Sequence, residues 1–234
     1  MADRIVIPSR YCGPSDSGNG GYVCGVLARE VACDAEVTLR RPPPLGIPMA
    51  ILRTDDGGVR LVDQDTLVAE AHPIEPVALE LIPAPSLQQA RSCTHRYIGH
   101  EHNAFPKCYV CGPERSPDGG MCIFPGASGP DGVVASPWTP SPETAGADGL
   151  VKEEFAWAAL DCPGGISAMG DRYRPYVLGR FAARLLSPTL MGRDYVVAGW
   201  QLGADGRKHF AATAIFDAEG TTTAVARATW IALD

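Results

Sequence analysis

The chain has 234 residues, 45% of them hydrophobic, and a formal net charge of -7. This apolar content excludes a disordered chain, and the length suffices for one large domain or two small ones. The acidic balance, with no cluster of basic residues, argues against a nucleic-acid-binding protein. It leaves room for an anionic ligand, since single arginines and helix N-termini can hold phosphate.

Hydropathy predicts neither a signal peptide nor a membrane span. The first residues, from Met1 to Gly13, hold no apolar run long enough for a signal peptide, and no run of 18 uncharged apolar residues occurs anywhere. We therefore expect a cytoplasmic protein that does not enter membranes. Its eight cysteines should then be mostly free thiols, many of them packed as small core residues.

The first part of the chain reads as one helix followed by strands. A helix is predicted after Gly20-Gly21, because Val23, Val26 and Leu27 follow the pair at helical spacing. The strands and turns expected after it are a strand over 35–40, a Pro-x-x-x-Gly break over 42–46, a strand over 48–53, and a strand-like run over 59–71.

A polar stretch over 83–105 follows, carrying His95, His100 and His102. We interpret it as the linker between two domains. The predicted boundaries are an N-terminal domain over 1–85, a linker over 86–105, and a C-terminal domain over 106–234. The alternative is a single irregular α+β domain.

The last part of the chain repeats the order of the first. Asp161-Cys162-Pro163-Gly164-Gly165 is expected to begin a helix, and a Pro-x-x-x-Gly break recurs over 188–192. Strands are predicted over 179–186, 195–202, 208–217 and 222–233, with hairpin-type turns between the last three. Each half thus shows a Gly-Gly-headed helix and then strands, with the break after the first strand.

This shared order resembles the hotdog fold, in which an antiparallel sheet wraps around a central helix. Asn19-Gly20-Gly21-Tyr22 is similar to the start of the N-terminal hotdog of acyl-CoA thioesterase II, and the stretch over 157–165 resembles the Asp-x-x-Gly-Gly segment of hotdog thioesterases. The resemblance covers nearly the whole chain. It implies an α+β protein of two tandem hotdog domains that acts on acyl-CoA thioesters, needs no cofactor and forms homo-oligomers.

Thioester hydrolysis needs a polarised carbonyl oxygen and a group that delivers water or attacks the carbonyl carbon. The unpaired N–H groups of a glycine-headed helix suit the first task, so Gly164-Gly165 and Gly20-Gly21 are candidate oxyanion sites. The alternative is that these glycines only let a helix pass close to the sheet.

Asp161 is the candidate for the second task, as a base or a nucleophile, and the alternative is a helix N-cap. Aligning the two glycine pairs places Ser17 opposite Asp161, which predicts at most one competent site. Asn19 and Trp157 are further candidates for substrate contact. Arg172 and Arg174 are candidates for binding CoA phosphates, although an ordinary solvated face is the alternative reading of those arginines.

Cys108 and Cys111 form a Cys-x-x-Cys motif, which can supply two zinc ligands from one turn. No second Cys-x-x-Cys or standard finger spacing accompanies the motif, so we predict no metal site and keep both cysteines as weak candidates. Two alternatives to a thioesterase stay open. One is a ligand-binding protein without catalysis. The other is an enoyl-CoA hydratase or dehydratase, which would pair an Asp with a His, and the second half offers only His209, far from Asp161 in sequence.

Overall fold

A computed structural model describes residues 3–129, 132–170 and 173–233. Its helices are α1 (Gly20–Ala28), α2 (Leu87–Cys93) and α3 (Glu153–Met169). Its strands are β1 (Arg4–Val6), β2 (Ala35–Leu39), β3 (Pro48–Arg53), β4 (Val59–Asp63), β5 (Thr66–Pro73), β6 (Gly126–Ala127), β7 (Val134–Trp138), β8 (Tyr176–Leu185), β9 (Tyr195–Asp205), β10 (Lys208–Phe216) and β11 (Thr222–Ala232).

Within these ranges the strands form a single sheet in the order β1-β3-β4-β5-β2-β8-β11-β10-β9-β7-β6. Counted outward from the middle of the sheet, one half has the order β2-β5-β4-β3-β1 and the other has β8-β11-β10-β9-β7. The connections between the strands are the same in both, so each half repeats one motif. The halves meet where β2 pairs antiparallel with β8, from Ala35 opposite Ala183 to Thr38 opposite Arg180. The predicted α+β architecture of two repeated sheet-and-helix units is confirmed.

The strand positions follow the sequence pattern closely, with one correction. The run over 59–71, predicted as one strand, is a hairpin of β4 and β5. The chain turns at Gln64, whose φ of 51° lies in the left-handed region. The apolar residues on either side of the turn continue the alternation, which hides the turn in the sequence.

The central helices α1 and α3 pack against each other and against the sheet. Gly25 of α1 permits this contact, because a Cβ atom there would lie 2.6 Å from the Cα of Glu154 and 2.8 Å from the Cβ of Trp157. Leu27 of α1, Leu160 of α3 and Phe181 of β8 are fully buried around this contact. Each such side chain contributes about 1.5–3 kcal/mol through apolar burial.

The structure corrects the predicted start of the second central helix. The helix α3 begins at Glu153, after Lys152, and runs through Pro163, so Gly164 and Gly165 lie in its last third rather than at its N-terminus. Proline and two glycines normally end a helix. Here packing prevails, because the residues from Glu154 to Gly165 are buried against α1 and the sheet.

The segment predicted as a linker is folded. Ser86 and Gln89 form a capping box that starts α2, and α2 packs on β7. Val77 and Ala90 pack with Trp200 and other apolar side chains of the second half, in a hydrophobic cluster separate from the main core. The boundaries 1–85, 86–105 and 106–234 stay a prediction. No helix among the described residues is both long and apolar enough to cross a membrane.

Candidate active site

A cavity of about 290 Å³ lies where the two halves meet. Its wall combines the residues just before α1, the break after β2, the segment after α2, the Cys-x-x-Cys turn, the middle and end of α3, and β8. Arg41, Pro42 and His102 line the cavity and are exposed, so it opens to solvent there. Asp161 lies at its buried end with only 2% of its surface exposed.

The carboxylate of Asp161 has one paired and one unpaired oxygen. Its Oδ2 atom accepts hydrogen bonds from the side-chain amide of Asn19 at 2.8 Å and from the backbone N–H of Gly21 at 2.9 Å. Its Oδ1 atom is buried and has no hydrogen-bond partner among the described residues. Since buried polar atoms are almost always paired, an unpaired oxygen on a residue that lines the cavity indicates a place for a bound molecule.

The N-terminus of α1 holds the carboxylate in place. Asn19 caps the helix, because its Oδ1 accepts the N–H of Tyr22 at 2.9 Å while its amide nitrogen reaches Asp161. Only glycine fits at position 21, where a Cβ would lie 2.5 Å from the Cβ of Asp161. The helix predicted at Gly20-Gly21 is thus present as α1, and its cap is Asn19. The acid that it binds comes from the other half of the chain.

Burial raises the pKa of Asp161 to about 7, and the nearby Cys108 adds to this rise. The hydrogen bonds from Gly21 and Asn19 favour the charged form and oppose the rise. A carboxyl group with a pKa near neutrality can both accept and return a proton, which suits it to acid–base chemistry.

Asn19→Ser is expected to lower the free energy of unfolding by about 1.5–3 kcal/mol, because the shorter serine side chain can cap α1 but does not reach Asp161. Asn19→Asp should be less stable still, since it sets a second carboxylate against Oδ2 of Asp161. Urea denaturation of the three proteins measures this order. An Asn19→Asp protein as stable as the wild type would show that the amide donor does not matter.

The predicted oxyanion role of Gly164 and Gly165 is not supported, because their position inside α3 leaves no helix start at the pair. Both glycines instead let the sheet pack close against α3. A Cβ on Gly164 would lie 3.1 Å from Nε1 of Trp230, and one on Gly165 would lie 3.0 Å from the ring of Trp230. Gly165 also lines the cavity. The close-packing alternative fits both residues.

Other predicted contact residues divide between the cavity and the rest of the molecule. Asn19 and Gly20 line the cavity. Trp157 is not part of its wall; it is buried beside Gly25 and packs edge-on against Phe181, 5.4 Å between ring centroids. Its aromatic ring therefore serves the helix contact.

The predicted phosphate-binding arginines also divide. Arg174 is exposed and donates to the carbonyl of Leu233 at 3.0 Å, and it is not part of the cavity wall, although its neighbours Tyr173 and Pro175 are. Arg172 lies outside the described residues. Arg40 and Arg41 line the cavity next to Pro42 and are not among the residues predicted from the sequence. Arg40 is paired with Glu70. The position of these arginines after a strand and before the proline break is the signal that could have indicated them.

The segment after α2 and the Cys-x-x-Cys turn close one side of the cavity. Tyr97, His102 and Asn103 line it, and the hydroxyl of Tyr97 donates to the carbonyl of Cys111 at 2.9 Å. Of the histidines in this segment, His100 instead contacts the carbonyl of Thr94 at 3.1 Å.

Cys108 and Cys111 meet a third cysteine, Cys162 of α3, which sequence reasoning did not associate with them. The three sulfur atoms all lie within 4.8 Å of one another and are buried. Hydrogen bonds from the thiols of Cys111 and Cys162 hold the pKa of Cys108 below its ordinary value. The cluster lies on the cavity wall beside Asp161.

No family model matches the chain, and no curated protein matches it. Solved structures do. A conserved protein of unknown function with a hot dog fold from Alicyclobacillus acidocaldarius is 9% identical, with a TM-score of 0.63, and the match covers 99% of this chain and 92% of that one. The fold is a tandem of two hotdog domains.

Two further solved structures match over most of both chains, and their names refer to thioesterases. A proposed thioesterase II from Thermobifida fusca YX is 14% identical, with a TM-score of 0.63, over 99% of this chain and 92% of that one. The tesB protein of Mycobacterium avium subs paratuberculosis is 13% identical, with a TM-score of 0.60, over 94% of this chain and 89% of that one. At these identities the likeness establishes the hotdog fold alone.

The glycine pairs lie at different positions in the two central helices. Gly20-Gly21 starts α1, whereas Gly164-Gly165 lies near the end of α3. The sequence alignment of Ser17 with Asp161 is therefore wrong as a structural equivalence. Ser17 precedes α1 and forms a β-bridge with Pro44, whereas Asp161 lies within α3. One helix start and one acid, from different hotdog units, make one site.

Proposed function

We propose that the chain hydrolyses acyl-CoA-type thioesters in this cavity, with Asp161 as the catalytic carboxylate. The observation that carries the proposal is Asp161 on the cavity wall, with a buried Oδ1 atom for which the described part of the chain offers no hydrogen-bond partner. The hotdog fold shared with a proposed thioesterase II supports the reaction class only coarsely.

In the proposed reaction, Oδ1 of Asp161 takes a proton from a water molecule as the water oxygen attacks the thioester carbonyl carbon. The C–S bond then breaks, the thiolate leaves and takes up the proton, and the carboxylic acid is the second product. The N–H of Gly20 is the proposed oxyanion donor. It lies at the start of α1 on the cavity wall, and no acceptor for it is found among the described residues.

The wall chemistry suits both ends of such a substrate. Ile166, Met169 and Leu178 give the inner wall an apolar surface that fits an acyl chain. Arg41 lies at the exposed end, where a guanidinium group can hold a CoA phosphate. Arg41 is thus a further candidate for phosphate binding beside Arg172, which lies outside the described residues.

Release of free thiol from a panel of short, long and aromatic acyl-CoA esters tests the proposal. Met169→Trp fills part of the apolar wall while leaving Asp161 intact, so it is expected to shift the preference toward shorter acyl chains. A shift of the chain-length profile would locate turnover in the cavity. Tight binding of the esters with no thiol release by the wild type would instead indicate a ligand-binding protein without catalysis.

One observation favours a second candidate, an enoyl-CoA hydratase or dehydratase. His102 lines the same cavity as Asp161, so an acid and an imidazole line one cavity, whereas the sequence of the second half offers only His209, far from Asp161 along the chain. His209 instead contacts the hydroxyl of Tyr176 at 3.3 Å. Hydration of an enoyl-CoA without release of CoA would decide for this candidate.

We further propose that the protein works in the cytoplasm and that its chains assemble into homo-oligomers. All eight cysteines are free, which supports a reducing compartment. Size-exclusion chromatography with light scattering measures the assembly. A mass equal to one chain would contradict it.

A further inference from the structure

The cluster of Cys108, Cys111 and Cys162 is unusual among the cysteines of this chain. A buried cysteine is most often a small apolar residue, as Cys24 is within α1. Here three buried thiols converge from two segments that are far apart in sequence, a turn before β6 and the helix α3. Packing alone requires no such convergence.

The sulfur positions fit a tetrahedral zinc ion. With Zn–S bonds of about 2.3 Å, neighbouring sulfur ligands lie about 3.8 Å apart. The sulfur atoms of Cys108 and Cys162 are 3.7 Å apart, and all three sulfurs lie within 4.8 Å of one another. Small side-chain rotations therefore suffice to bring the three sulfurs around one ion.

The Cys-x-x-Cys turn has a fixed shape. Gly112 donates its N–H to the carbonyl of Cys108 at 2.9 Å, and a Cβ at position 112 would lie 2.5 Å from the carbonyl oxygen of Pro106. The sulfur of Cys108 accepts a hydrogen bond from the side-chain amide of Asn19 at 3.8 Å. A donor placed in this way supports a thiolate ligand and helps to fix its direction.

We propose that Cys108, Cys111 and Cys162 bind one Zn²⁺ ion as three thiolate ligands, with the fourth position facing the cavity. A soft ligand set of this kind selects zinc over calcium or magnesium. Among the described residues, no carboxylate or imidazole joins the three sulfurs as a further member of the group. Water or a sulfur or oxygen atom of a bound molecule is left to complete the tetrahedron, since the cluster lines the cavity. The inference rests on the cluster and does not depend on thioester hydrolysis.

Metal analysis of the full chain, purified under reducing conditions and passed over a weak chelator, tests the proposal. One equivalent of zinc is expected. Titration of the metal-free protein with Co²⁺ should give one equivalent of binding with intense sulfur-to-cobalt absorption. Absence of both zinc and the cobalt signal in a folded, reduced protein would overturn the proposal.

Cys162→Ser is the decisive variant, because it removes the ligand that comes from α3. It is expected to weaken Co²⁺ binding more than about 100-fold, the upper end of the loss caused by removing a partner of a ligand. Cys122→Ser is the matched control, since Cys122 is half-buried and lies outside the cluster. Unchanged cobalt binding by Cys162→Ser would also overturn the proposal.

Alkylation of the wild-type thiols, measured by mass spectrometry, tests the metal site without relying on the folding of a variant. In the wild type, Cys108, Cys111 and Cys162 should react slowly until a strong chelator is added, while Cys24 stays protected in both conditions because it is buried within α1. Equal reactivity of the three thiols with and without chelator would contradict a metal site. A disulfide between Cys108 and Cys162 that persists in protein purified under reducing conditions would contradict it as well.

Discussion

Asp161→Asn is expected to lower kcat for thioester hydrolysis by about 10²–10⁴-fold, the range that a positioned acid or base contributes. Asparagine keeps the size of the side chain and an oxygen to accept from Asn19 and Gly21. It cannot take a proton from water or attack a carbonyl carbon. Because substrate contacts elsewhere on the wall are unchanged, KM should stay within a few-fold of the wild-type value. Steady-state kinetics on the best ester of the panel measure both constants.

Two controls separate this effect from loss of the fold. Asp161 carries a buried oxygen for which the described ranges hold no partner, so its replacement by a neutral amide should leave the thermal midpoint unchanged or raise it. Asp217→Asn, in the hairpin between β10 and β11, should retain full turnover, because its side chain only accepts backbone N–H groups of Glu219 and Thr221. Wild-type kcat in Asp161→Asn would remove the carboxylate from the mechanism.

Gly25→Leu is expected to destabilise the protein by more than about 3 kcal/mol, above the usual cost of overpacking a core. A single Cβ at this position would already lie 2.6 Å from the backbone of Glu154 in α3, and backbone cannot move aside as a side-chain tip can. The two central helices would have to separate. Urea or thermal unfolding followed by circular dichroism measures the loss.

The Gly25→Ala variant shows whether helix propensity or the contact between α1 and α3 decides the stability at this position. In an exposed helix interior, alanine stabilises relative to glycine by about 1 kcal/mol. Here we expect alanine to destabilise, because contact between helices outweighs helix propensity. Gly119→Ala is the control, since a Cβ there would meet its nearest neighbour, the hydroxyl of Ser116, at 3.5 Å. A Gly25→Ala protein more stable than the wild type would refute the close contact.

The strand pattern is predictable from the sequence because it is local. Alternating apolar residues and Gly–Pro turns mark the strands of each half within a few residues, as in β9 to β11. The helix boundary of α3 is not local. Pro163, Gly164 and Gly165 signal a helix break, and only the sheet packed against them explains why the helix continues.

The candidate site is less predictable, since its parts come from distant segments. Asp161 can be selected from the sequence, and Asn19 and Gly21 can be identified as a helix start. That these residues bind each other, 140 or more positions apart, depends on how the halves pack. The same holds for Cys162, which meets Cys108 only because α3 passes under the Cys-x-x-Cys turn.

The junction of β2 with β8 has a consequence for symmetry. An assembly of two identical subunits repeats every substitution on both sides of its axis, so its two sites stay alike. In this chain each side of the β2–β8 junction has its own sequence, and the sides have specialised: one provides the amide donors of a helix start, and the other provides the acid. A change that suits one task need not be tolerated in the other, so the two halves are free to diverge while they share a single sheet.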